Sequence, residues 1–91
     1  MKGSLIFSDG SHFHFKEFLR LADPVARLKY AYQYVSATGS LLFRYDNALD
    51  PAAKHLATYP DHKHQAGGMT PSSAPLLDQV LREAAQHVKR R

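Results

Sequence analysis

Arg44, His62, Lys63 and His64 are the residues of this chain whose types suit chemistry on a phosphate. Cleaving a ribose phosphodiester needs a base for the 2′-hydroxyl proton, an acid for the departing oxygen and a cation for the charge that builds on phosphate. Imidazoles as a class titrate near neutrality, so His62 and His64 are the candidates for base and acid. Arg44 or Lys63 would hold the phosphate, arginine being favoured where a two-pronged grip is wanted. If the segment is extended, His62 and His64 share one side while Lys63 points away, so the three converge only if the chain turns between them.

Each residue also has a plainer role. A loop histidine is usually solvated. Arg44 and Asp46, two apart on one strand, suit a salt bridge, and Asp46-Asn47 is turn chemistry that pins a long loop through backbone hydrogen bonds; that pinning is the favoured reading for Asp46 and Asn47. The alternative chemistry is a zinc site on His62-x-His64 with His55 or Asp61 as third ligand, a weak signal without a fixed third ligand and supporting hydrogen bonds. No metal or other cofactor is therefore expected. His12 and His14 alternate with Phe13 and Phe15, which assigns them to a polar strand face, and His87 suits the surface near a helix end. Tyr30, Tyr32 and Tyr34 around Lys29 could stack nucleic-acid bases, but their alternation fits a half-buried strand under a helix better.

These side chains need elements to position them. Lys2 to Phe7 and His12 to Leu19 flank Ser8-Asp9-Gly10-Ser11, the Asp-Gly signal of a tight turn, and predict a first hairpin. Asp23-Pro24 interrupts the pattern, so Leu21 to Ala26 reads as a connection. Leu28 to Val35 alternates strictly, Ser36-Ala37-Thr38-Gly39 turns, and Leu41, Phe43 and Tyr45 alternate with Leu42, Arg44 and Asp46 in a returning strand. Asn47 to Thr70 reads as a long loop, with one or two helical turns available at Pro51 to Leu56. A helix over about 74–90 follows a capping serine in Pro71-Ser72-Ser73-Ala74-Pro75, with Leu77, Val80, Leu81, Ala84 and Val88 forming its apolar stripe. The expected fold is α+β: a four-stranded, mostly antiparallel sheet of two hairpins with the C-terminal helix across one face. Leu41, Phe43, Tyr45 and the tyrosines would face the helix, leaving Arg44, Asp46, Lys29 and Gln33 on the open face.

With 91 residues the chain makes one domain, 1–91, with a small core. Having no cysteine, it can form neither a disulfide framework nor a thiolate zinc site, which suits a reducing cytoplasm. No membrane span or export signal is recognised, since Leu41-Leu42-Phe43 is far too short and Met1-Lys2-Gly3 leads straight into a strand pattern. A net charge of +4 favours a polyanion or an acidic protein surface as partner, part of it coming from Lys89-Arg90-Arg91. An exposed edge strand would let copies pair as a homo-oligomer.

Five blocks, in order, resemble the TumE family of prokaryotic proteins: Asp9-Gly10-Ser11, Arg27 to Tyr34, Arg44-Tyr45-Asp46-Asn47-Ala48, Tyr59-Pro60-Asp61-His62-Lys63-His64, and Pro71-Ser72-Ser73 before a helix. The likeness covers nearly the whole chain. It differs from the family pattern at Ala48-Leu49-Asp50-Pro51, where a histidine pair is common, and at Asp61, where a histidine is common. The resemblance implies the toxin half of a toxin–antitoxin pair, acting on RNA and neutralised by a helix-turn-helix, DNA-binding antitoxin. It assigns no catalytic residue, so Arg44, His62, Lys63 and His64 rest on residue chemistry, and the competing class is a non-catalytic module that binds protein or nucleic acid.

Overall fold

The computed structural model describes residues 1–21, 24 and 26–89. Its strands, β1 (Lys2–Ile6), β2 (His12–Arg20), β3 (Ala26–Val35), β4 (Leu41–Asp46), β5 (His62–Gln65) and β6 (Gly68–Pro71), form one sheet in which spatial order follows chain order. Every neighbouring pair is antiparallel. One helix, α1 (Leu77–His87), packs on β2 and β3. The architecture is α+β as expected, but with six strands rather than four.

The first two hairpins follow their sequence signals. Gly10 has φ +84°, a left-handed conformation that residues with a Cβ rarely adopt, and the turn closes with Phe7 N–H donating to the Ser11 carbonyl. Asp9 organises this corner, accepting hydrogen bonds from the backbone and hydroxyl of Ser11 and from the backbone N–H of Lys89. These contacts, the Ser11 hydroxyl first, hold the Asp9 carboxyl down to about 2.

The alternation of β3 sends Tyr30, Tyr32 and Tyr34 into the core with Phe13 and Phe43, and α1 closes it with Val80 and Ala84. Leu77 and Leu81 flank that contact, so the expected helical stripe packs from Leu77 to Ala84, while Val88 lies just past the helix end in extended conformation. Each of these tyrosine hydroxyls donates to a polar partner: Tyr30 to Asp61 and, in buried bonds, Tyr32 to Glu17 and Tyr34 to Ser11. Burying phenols this way satisfies their polar ends and leaves ring area for the core. His87 is solvent-exposed as expected, yet its ring also lies within 5.9 Å and 5.8 Å of the Tyr34 and Phe43 rings.

Two boundaries differ from expectation. The stretch read as one loop from Asn47 to Thr70 contains β5 and most of β6, joined by a two-residue turn between the paired Gln65 and Gly68. Before them, Asp50 caps a 3₁₀ turn at Pro51–Ala53, and Ala53 and Leu56 are buried. The helix begins at Leu77 rather than near 74, because Ser72 N–H is taken by Thr58 and the Pro75 carbonyl by Arg27, which keeps 72–76 extended. The first turn is closed by Gln79, whose side chain accepts from Leu76 N–H, and not by a serine cap. Residues 22, 23 and 25 of the expected Leu21–Ala26 connection, and Arg90 and Arg91 of the expected helix end, lie outside the described residues.

Candidate functional site

The strand registers set two cross-sheet rows on the face away from α1. One runs Ser4, His14, Gln33, Arg44, His64, Met69; the other runs Lys2, Lys16, Ala31, Asp46, His62, Pro71. Cross-strand neighbours on one face stand within side-chain reach, so these registers alone bring Arg44 and Asp46 against His64 and His62.

Asp46 is the centre of the cluster. Its Oδ2 accepts from Arg44 Nε at 2.9 Å and lies 3.4 Å from His64 Nε2. Its Oδ1 accepts from Ala48 N–H at 3.0 Å and lies 3.0 Å from His62 Nε2. The His62 approach is off line, however, and makes no hydrogen bond. His62 Nδ1 sits 2.6 Å from the Pro60 carbonyl, an oxygen that can only accept, so Nδ1 carries the proton. Arg44 Nη1 donates to Gln33 at 3.1 Å, which fixes the guanidinium from its second side. The two imidazoles meet edge to face at 4.8 Å.

Of the residues expected from sequence, Arg44, His62 and His64 are brought together and Lys63 is not. β5 is extended, so Lys63 points to the opposite face, where its Nζ reaches Glu83 of α1 at 2.8 Å. Burial opposes the Lys63 charge, but hydrogen bonds to Glu83 and Tyr45 outweigh it and hold the ammonium above its ordinary value. Burial likewise pushes the Glu83 carboxyl up, and the Lys63 and Tyr45 hydrogen bonds outweigh that and hold it below the usual range. Lys63 therefore clasps the helix to the sheet.

His62 has no exposed surface, whereas His64 and Arg44 side chains are 29% and 39% exposed. A substrate can touch the second pair and not the first. His55 is exposed on the preceding loop, and Asp61 is engaged by the Tyr30 hydroxyl, so neither supplies the third ligand considered for a zinc site. The residue that sequence reasoning undervalued is Asp46, 3% exposed and touching every member of the cluster. Its shared parity with Arg44 was the available signal.

Arg44 also borders a concavity of about 940 Å³ on the same face, with Lys2, His14, Lys16 and Gln33 in its wall. A smaller hollow of about 240 Å³ adjoins it at Lys16, Phe18 and Arg44 and extends to Lys29 and Asp46. The open face is thus a cationic trough with the imidazole–carboxylate cluster at one side.

A family model described as toxin TumE matches residues 1–91, the full length of the chain. The chain belongs to the TumE toxin family. No curated protein and no solved structure matches it. In this TumE chain, Arg44 to Ala48 and Tyr59 to His64 lie side by side as β4 and the approach to β5, and their contact is the cluster itself. The family indicates a toxin role and, with it, an antitoxin partner. Among the described residues no helix is long and apolar enough to cross a membrane.

Proposed function

We propose that this toxin acts on RNA at the open sheet face, as a ribonuclease working in the cytoplasm and restrained by a helix-turn-helix antitoxin. The observation that carries this reading is the position of Arg44, shared between the cationic trough and the Asp46–His62–His64 cluster. Lys2, Lys16 and Lys29 follow the phosphate backbone, and Arg44, held from behind by Asp46 and Gln33, meets the phosphate that reacts. His64 is the imidazole a substrate can reach. It takes the 2′-hydroxyl proton, the 2′-oxygen bonds to phosphorus, the bond to the 5′-oxygen breaks and that oxygen leaves with a proton from water. Asp46 orients His64, and buried His62 packs edge to face against the His64 ring as a positioning residue.

His64→Ala and Arg44→Ala, purified with unchanged circular dichroism, test this directly. RNA cleavage and growth arrest should each fall by about 100-fold or more. A folded His64→Ala protein that remains fully toxic would overturn the catalytic reading in favour of a binding module.

A further inference from the structure

The contact between Asp46 and His62 is not a hydrogen bond. With its Nδ1 proton given to Pro60, His62 turns Nε2 toward Asp46 Oδ1 at 3.0 Å in a fully buried setting. Among the described residues, His62 Nε2 is the one buried side-chain polar atom without a hydrogen-bond partner. Buried polar atoms are almost always satisfied, and an exception points to an ion or another missing partner.

A divalent cation satisfies all three groups at once. One ligand atom each from Asp46, His62 and His64 lies within 4.8 Å of the others. Metal–nitrogen and metal–oxygen bonds of about 2.1 Å set neighbouring ligand atoms roughly 3.0 Å apart at octahedral angles and about 3.4 Å at tetrahedral ones. The carboxylate–imidazole distances are 3.0 Å from His62 to Oδ1 and 3.4 Å from His64 to Oδ2, so each imidazole faces a different oxygen of the one carboxylate. The surrounding contacts are those that fix metal ligands: a backbone carbonyl on the remote nitrogen of His62, and Ala48 N–H and Arg44 Nε on the carboxylate. We propose that Asp46, His62 and His64 form a binding site for a divalent transition-metal ion. Two imidazoles with one carboxylate and no thiolate suit zinc, cobalt, manganese or iron rather than calcium or magnesium. Three protein ligands leave further positions open, as in exchangeable rather than closed structural sites. Arg44 competes electrostatically with the ion and sets its affinity below that of a site without a neighbouring cation.

Binding stands apart from RNA cleavage, but one consequence rests on that reading. An ion on His64 Nε2 replaces the Asp46 contact that orients this imidazole, so zinc should suppress cleavage by the chelator-stripped toxin.

The test is calorimetric titration of the full chain, stripped with chelator, using zinc, with cobalt added separately for its visible absorption. One ion per chain is expected. His64→Gln, at a partly exposed position, should weaken binding by about 100-fold, with Asp46→Asn as a second probe if its fold is intact. His12→Ala/His14→Ala removes the other close histidine pair and should leave binding unchanged. Absence of stoichiometric binding, or binding that disappears with His12 and His14, overturns the metal site and leaves the RNA proposal standing. A native chain that binds one zinc ion but cleaves no RNA when chelator-stripped would do the reverse.

Discussion

Asn47 uses both ends of its amide to extend the sheet beyond the last backbone pair. Its Oδ1 accepts from Tyr30 N–H at 3.0 Å and its Nδ2 donates to the Leu28 carbonyl at 3.1 Å. β4 ends one residue earlier, so the side chain continues the ladder where the chain itself turns away. Asn47→Ala strands one donor and one acceptor of β3 and should destabilise the fold by about 1–3 kcal/mol in urea denaturation. Asn47→Asp keeps the acceptor and should lose less; equal stability of Asn47→Ala and the native chain would show that water replaces the amide at no cost. This pinning role was readable from Asp46-Asn47, because these side chains habitually mimic backbone turns. The meeting of Asp46 with His62 was not readable. It depends on which strand lies beside β4, and Asp46 carries no local mark of its distant partner.

The clasp between α1 and β5 belongs to the scale of elements. Glu83 accepts from both Tyr45 at 2.6 Å and Lys63 at 2.8 Å, joining the helix to two strands. Because the Glu83 carboxyl is depressed when folded, its stabilisation is complete above the ordinary glutamate value of 4.5 and is lost as pH falls through the folded value. Because Lys63 is raised, its part is complete below 10.5 and is lost as pH rises through its folded value. Glu83→Gln should therefore lower stability by about 1 kcal/mol across the neutral range and converge with the native chain as pH falls below the folded Glu83 value, read from urea midpoints against pH. A constant gap down to acid would assign the loss to packing instead. The same region explains what sequence reading missed. β2 to β4 and α1 show apolar alternation or helical spacing because each buries a hydrophobic face. β5 reads His62-Lys63-His64-Gln65, since one of its faces meets a carboxylate and the other a clasped glutamate, and polar alternation of this kind looks like loop.

Across the whole molecule, the two faces of the sheet differ in how far their positive charge is already committed. On the helix face Lys63 is neutralised by Glu83, and Arg27 lies 4.3 Å from the Tyr30 ring while donating to Tyr32 and the Pro75 carbonyl. On the open face Lys16 and Lys29 line the trough as exposed side chains. Net charge alone, +4, does not distinguish these groups, but salt does. Each lysine that contacts an RNA phosphate displaces a counterion, which contributes about −0.7 to the slope of log affinity against log salt for a single strand. Lys16→Ala and Lys29→Ala should each flatten that slope by about 0.7 and weaken binding without regard to RNA sequence, and the double variant should flatten it by about 1.4. Lys63→Ala should leave the slope where it was, although it removes the same formal charge. Fluorescence anisotropy of a short labelled RNA over a range of salt measures all four proteins side by side. Equal flattening by Lys63→Ala would mean that the RNA feels net charge rather than a face, and would move the binding surface off the open side of the sheet.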